Sequence, residues 1–169
     1  MKIRSHLLGA ALALLFSGVQ AQNADALKND GKSTSDVLTY GMGYNNQRYS
    51  PLKQINTGNV AKLVPVWAYS LNNTQSHESQ PIVYQGLMYV TTHDATVAID
   101  AVTGKQVWRT PVELPQDVFK YACCGILNRG VAIYDGKIYR TTLDAQVVAL
   151  DARTGKQIWK SKVVDYQDG

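Results

Sequence analysis

The stretch Ala98-Ile99-Asp100-Ala101-Val102-Thr103-Gly104-Lys105-Gln106-Val107-Trp108 recurs downstream as Ala149-Leu150-Asp151-Ala152-Arg153-Thr154-Gly155-Lys156-Gln157-Ile158-Trp159. The likeness extends upstream of both copies. Val83-Tyr84-Gln85-Gly86-Leu87-Met88-Tyr89 answers to Ile133-Tyr134-Asp135-Gly136-Lys137-Ile138-Tyr139, and Thr91-Thr92 to Thr141-Thr142. The period is roughly 50 residues with one residue of slippage, and self-similarity on this scale marks a protein assembled from repeated supersecondary units.

Each copy reads as a strand meander. A short apolar run leads into Gln85-Gly86 or Asp135-Gly136, a tight hairpin turn in which Gly accepts a positive φ. A second run ends at the polar turn Asp94-Ala95 or Asp144-Ala145. A third strand, Thr96 to Asp100 or Gln146 to Asp151, enters Thr103-Gly104-Lys105 or Thr154-Gly155-Lys156, and a fourth carries the Trp. Short strands separated by turn signals at near-regular spacing indicate an all-β fold, and four strands at this period indicate a β-propeller blade. Asp100 and Asp151 are placed to accept backbone N–H bonds across the last turn, with Gly104 and Gly155 left-handed. Trp108 and Trp159 are expected either to lie over that turn in a neighbouring blade or to serve as ordinary core aromatics. Val64-Pro65-Val66-Trp67-Ala68-Tyr69-Ser70 reads as one further strand, able to pair with a C-terminal blade in a closed ring. Two blades do not close a ring, because known propellers have about four to eight and repeats bury their faces on neighbours. The expectation is therefore a truncated piece of a larger protein, holding an N-terminal strand and about two blades in residues 22–169.

Residues 1–21 read as a secretory signal peptide. Lys2 and Arg4 give a positive start, Leu7 to Phe16 is apolar or small, and Val19-Gln20-Ala21 suits signal peptidase, so the mature chain begins near Gln22. The apolar run is roughly ten residues, about half a bilayer span, and no other run is longer, so no stable membrane insertion is expected. Loss of Lys2 and Arg4 lowers the formal charge from +4 to +2. A surface so nearly balanced carries no basic stripe for a nucleic-acid partner.

The adjacent pair Cys123-Cys124 is the sharpest local feature. In an exported chain with two Cys an oxidised pair is the default. Neighbouring Cα atoms lie only about 3.8 Å apart, which would strain the ring. Reduced buried thiols or intermolecular pairing are the alternatives. The pair opens Cys123-Cys124-Gly125-Ile126-Leu127-Asn128-Arg129-Gly130, where Arg129 offers a fork-shaped donor for carboxylates. Upstream, His77-Glu78-Ser79-Gln80-Pro81 places Glu78 in the turn that opens the first blade. Taken singly, Glu78 and Arg129 read as solvated surface charges rather than site residues.

Together these pieces resemble the N-terminal region of the pyrroloquinoline quinone (PQQ)-dependent methanol and ethanol dehydrogenases, an eight-bladed propeller family of periplasmic enzymes. The likeness rests on Asn46-Gln47-Arg48-Tyr49-Ser50-Pro51-Leu52 with Ile55-Asn56 and Asn59-Val60, on Glu78-Ser79-Gln80-Pro81, on Cys123-Cys124-Gly125 with Asn128-Arg129-Gly130, and on the Thr-Gly-Lys-x-x-Trp copies. It runs from about Leu38 to the C-terminus. One departure is Val37, where the family often has Trp. The resemblance implies that a Cys123–Cys124 disulfide lies flat against the quinone, that Arg129 pairs with a PQQ carboxylate, and that Glu78 hydrogen-bonds the cofactor's rim. It implies oxidation of primary alcohols to aldehydes, with electrons passing to a cytochrome c. The calcium or lanthanide ligands and the catalytic base are expected from later blades, so this piece alone is expected to be inactive. Two other readings compete. One is a non-enzymatic propeller scaffold of the outer-membrane assembly type, which shares the Thr-Gly-Lys-x-x-Trp repeats but needs neither the Cys pair nor the Arg loop. The other is a related quinoprotein sugar dehydrogenase.

Overall fold

A computed structural model of the protein describes residues 22–122 and 125–168. Its regular structure is two four-stranded antiparallel meanders. Strands β1 (Ile82–Tyr84), β2 (Leu87–Thr91), β3 (Ala95–Asp100) and β4 (Gln106–Pro111) form the first, in the order of the chain. Strands β5 (Ala132–Tyr134), β6 (Lys137–Thr141), β7 (Gln146–Asp151) and β8 (Gln157–Lys162) form the second. The all-β expectation and the two blades hold, and the five-residue α1 (Ala24–Lys28) is the longest helix among the described residues.

Local chemistry explains why the two blades match. The β1–β2 and β5–β6 hairpins turn at Gln85-Gly86 and Asp135-Gly136 with φ of 49° and 77°, and 49° and 69°. Positive φ at both central residues is the turn whose twist suits a hairpin. Between β3 and β4, Asp100 accepts from the backbone N–H of Thr103 (2.7 Å) and of Val102 (3.1 Å) and from the Thr103 hydroxyl (2.8 Å). Asp151 repeats the pattern with Arg153 and Thr154. These bonds favour the ionised form and hold both carboxyls below the usual carboxylate range, led by the Thr103 N–H for Asp100 and by the Thr154 hydroxyl for Asp151. Opposite Ala98/Ile99 and Ala149/Leu150 the register shifts by one, which leaves Val107 and Ile158 of the fourth strands as the extra residues.

The blades pack face to face. Tyr84, Tyr89, Ala98 and Trp108 of the first blade meet Ile133, Ile138, Val148, Leu150 and Ala152 of the second in one buried cluster. Trp108 is 8% exposed, and its indole N–H donates to the Ala152 carbonyl (3.1 Å). The ring lies so close over Gly155 that a Cβ there would sit 2.6 Å from it. The docking role expected of Trp108 is thus realised, and the second blade's turn is its seat. Trp159, at the outer edge, is 42% exposed.

Residues 64–70 are paired with no sheet edge among the described residues. They form no strand, and among the described residues no backbone pairs with them. Their side chains instead cover the other face of the first blade, where Trp67, Tyr69 and Leu71 pack on Ala95, Val97 and Ile99. The Trp67 indole N–H donates to the Ala101 carbonyl (3.2 Å), and a Cβ on Gly104 would meet its ring at 2.6 Å. Trp67 is to the first blade what Trp108 is to the second. A strand needs a neighbouring edge as well as an apolar sequence, and among the described residues Val64 to Ser70 meets only a face.

The interface also holds a charge. Arg140, on β6, is 3% exposed, and its guanidinium donates to Thr96 Oγ1 (3.1 Å) and to the carbonyls of Thr92 (3.0 Å), His93 (3.2 Å) and Thr141 (3.3 Å). Burial pushes it down to about 10, against the pull of Asp94 and Asp144, so it stays charged at neutral pH. It ties the second blade to the β2–β3 turn of the first.

Candidate functional site

The innermost strands β1 and β5 bring their leading ends together. Gln80 and Gly130 form an isolated parallel bridge, with the Gln80 N–H donating to the Arg129 carbonyl (3.4 Å). Gly130 has φ of 121°, and a Cβ there would lie 3.1 Å from the Gln80 carbonyl oxygen. Only glycine combines that dihedral with so close a backbone approach. The residues just before this junction are those singled out from the sequence.

Glu78 and Arg129, far apart in the chain, meet as an ion pair with Arg129 Nε 3.1 Å from Glu78 Oε2. Both are open to solvent, the Arg129 side chain at 75% and that of Glu78 at 48%. An exposed pair of this kind contributes only about 0–1 kcal/mol to stability. Arg129 Nε faces Glu78 Oε2, and among the described residues no other acceptor contacts its guanidinium, which carries five N–H donors. The arrangement presents a fork of unused donors beside a carboxylate, chemistry suited to a ligand carrying both a carboxylate and a polar rim. Cys123 and Cys124 lie outside the described residues. Residues 1–21, read as a signal peptide, lie outside them too, and no helix among the described residues is long and apolar enough to cross a membrane.

Sequence reasoning passed over the side chains beneath this pair. Thr91, fully buried at the end of β2, contacts Ser79 and Asn128, the neighbours of Glu78 and Arg129. Both stand in the motifs that were read, Glu78-Ser79-Gln80-Pro81 and Asn128-Arg129-Gly130, yet nothing local distinguishes them. A separate cleft of about 180 Å³ between the blades is lined by Thr96, Glu113, Arg140, Gln157 and Lys160. Neither Glu78 nor Arg129 borders it, and Arg140 already has its partners there.

The family model described as "PQQ: Glucose/ethanol/alcohol dehydrogenase, beta-propeller domain" matches residues 38–160. The chain belongs to this family. The quinoprotein ethanol dehydrogenase of Pseudomonas aeruginosa is 47% identical over 165 residues, covering 96% of this chain and 26% of that protein. The 1-butanol dehydrogenase (quinone) of Thauera butanivorans is 45% identical over 163 residues, covering 95% and 26%. Among solved structures, a europium-containing methanol dehydrogenase superposes with a TM-score of 0.77 at 37% identity, covering 83% of this chain and 25% of that one. The chain spans about a quarter of the length of the relatives it matches. In this PQQ alcohol dehydrogenase family the two meanders are blades of the propeller, and the matched region begins at Leu38, where the sequence resemblance begins.

Proposed function

We propose that the chain is the N-terminal part of a periplasmic PQQ-dependent alcohol dehydrogenase, which oxidises primary alcohols to aldehydes and passes the electrons to a cytochrome c. The observation that carries this reading is the Glu78–Arg129 pair, an exposed fork and carboxylate held where the inner strands of two blades meet. PQQ is a planar tricarboxylate quinone, and the donor set fits it. Arg129 would hold one carboxylate in a bidentate contact, Glu78 would accept from the rim, and a Cys123–Cys124 disulfide would lie against one face. The bound quinone supplies the two-electron acceptor for alcohol oxidation. The chain's own residues bind it, orient it and place charge around it. A calcium or lanthanide ion and a carboxylate base are expected from later blades, so these 169 residues alone are proposed to be inactive. The names of the ethanol, butanol and methanol dehydrogenases support small primary alcohols as substrates. The apolar run Leu7–Phe16 behind Lys2 and Arg4 supports export by a cleaved signal peptide.

The test is PQQ titration of the apo form of the whole gene product, as wild type, Arg129→Ala and Cys124→Ser, with thermal melts alongside. Arg129→Ala is expected to weaken PQQ binding by about 2–5 kcal/mol, the cost of truncating one partner of a charge pair that binding buries. Its melting temperature should barely change, because the unliganded pair is exposed. Cys124→Ser should lower cofactor retention more than stability, since so short a loop restricts the unfolded chain little. Unchanged PQQ affinity in both variants would remove the site assignment. Failure of the wild type to bind quinone would favour a non-enzymatic propeller scaffold.

A further inference from the structure

A hydrogen-bonded chain runs beneath the exposed ion pair, and its polarity is settled by what each atom can do. Asn128 Oδ1 faces two donors, the Thr91 hydroxyl at 2.6 Å and the Gly130 N–H at 3.0 Å, while Asn128 Nδ2 faces the Thr141 carbonyl at 2.9 Å. The reverse amide orientation would set donor against donor and acceptor against acceptor, so this one is required. The Thr91 proton therefore goes to Asn128. The 3.0 Å contact between the Thr91 and Ser79 hydroxyls is then supplied by the Ser79 proton, and Ser79 Oγ accepts from the Thr91 N–H (3.1 Å). The chain therefore runs with one polarity, from Ser79 through Thr91 to Asn128.

The ends of this chain matter because of what adjoins them. Ser79 follows Glu78 and Asn128 precedes Arg129. Thr91 and Thr141 hold the same position in the two blades, each the last residue of a second strand. One amide side chain thus bridges equivalent points of both sheets, accepting from a side chain of the first and donating to the backbone of the second. Two exposed, rotamer-rich side chains gain little from their own attraction and lose freedom on pairing. Their relative placement must come from the backbone beneath them.

We infer that Asn128, acting through Thr91 and Ser79, is a positioning residue that sets Glu78 and Arg129 at the separation the cofactor requires. The inference rests on the cofactor-site reading above and deepens it. Asn128 touches neither charged group's functional atoms in this arrangement and acts through the backbone of its neighbour. A mere inter-blade tie would carry the same hydrogen bonds, so the two roles differ only in whether their effect on cofactor binding passes through Arg129.

The experiment titrates PQQ into the apo form of the whole protein, followed by quenching of intrinsic fluorescence, with a thermal melt of each variant. Asn128→Ala is expected to weaken PQQ binding about tenfold, the equivalent of one to two ordinary hydrogen bonds. Thr91→Val, which keeps the shape and removes the hydroxyl, should weaken it about threefold, while Thr91→Ser should stay within about twofold of wild type. In an Arg129→Ala background, Asn128→Ala should add no more than about a twofold loss, because the residue it positions is gone. Wild-type affinity in Asn128→Ala, or an equal loss in both backgrounds, overturns the positioning role while leaving the cofactor site standing. Wild-type affinity in Arg129→Ala removes the site itself and the positioning role with it. If Asn128→Ala does not fold, the threonine variants decide, and equal affinity of Thr91→Val and Thr91→Ser overturns the inference.

Discussion

Two glycines of the second blade form a controlled pair for testing how the blades dock. Gly136 has φ of 69° with nothing within 4 Å of an added Cβ. Gly155 has φ of 70°, but its Cβ would stand 2.6 Å from the Trp108 ring and 2.7 Å from Thr110 Oγ1. Alanine at either site incurs the left-handed backbone cost, about 1–2 kcal/mol. At Gly155 it must also displace an indole fixed by its bond to Ala152 and by a tilted contact with Tyr89, ring centroids 5.9 Å apart. Overpacking of that kind adds about 1–3 kcal/mol. Gly136→Ala should therefore cost about 1–2 kcal/mol and Gly155→Ala about 2–5. Urea unfolding of the whole protein, followed by circular dichroism, reads the difference. In a Trp108→Ala background the excess at Gly155 should shrink, since the indole is gone and only the Thr110 hydroxyl still stands close to the added Cβ. Equal losses at the two glycines in the wild-type background would refute the docking argument.

Two further outcomes follow from the same contacts. Arg140→Met keeps the volume but leaves the Thr92 and His93 carbonyls and the Thr96 hydroxyl without the guanidinium, so stability should fall by at least about 3 kcal/mol in urea unfolding; a loss below about 1 kcal/mol would show that water replaces the guanidinium. Acid should also destabilise the blades, because Asp100 and Asp151 titrate lower in the folded chain than in the unfolded one. Their contribution is complete above the unfolded carboxylate value of about 3.9 and is lost as pH falls through the lower folded values. Melting temperatures measured from pH 7 down to pH 3 should decline at the acid end, less steeply in Asp151→Asn. An identical profile for that variant would count against the turn's contribution.

What could be read without coordinates is local. The hairpin turns, the Asp–Thr bonds of each corner and the left-handed glycines involve residues within a few positions of one another, so their chemistry is written in short stretches. The repeat then extended that reading to the whole architecture, because two copies of one local solution must pack alike. Glu78 and Arg129 were visible as charged residues in turns at the same end of successive repeats, and the resemblance attached a role to them. That they pair with each other was not visible.

The tertiary structure decided whatever depends on a partner distant in the chain. Val64 to Ser70 has the composition of a strand, but that Trp67 and Tyr69 cover the face of the first blade could be seen only in the fold. Nothing in the sequence around Arg140 sets it apart from the other cations. Only the approach of the Thr92-His93 carbonyls and Thr96 makes it a buried tie between blades. Asn128 and Thr91 are ordinary polar residues until the folded sheets bring Thr91 and Thr141 to either side of one amide. Hydrogen-bond satisfaction is short-ranged in space and indifferent to separation along the chain, so the sequence by itself determined the blades, and the fold alone chose what joins them.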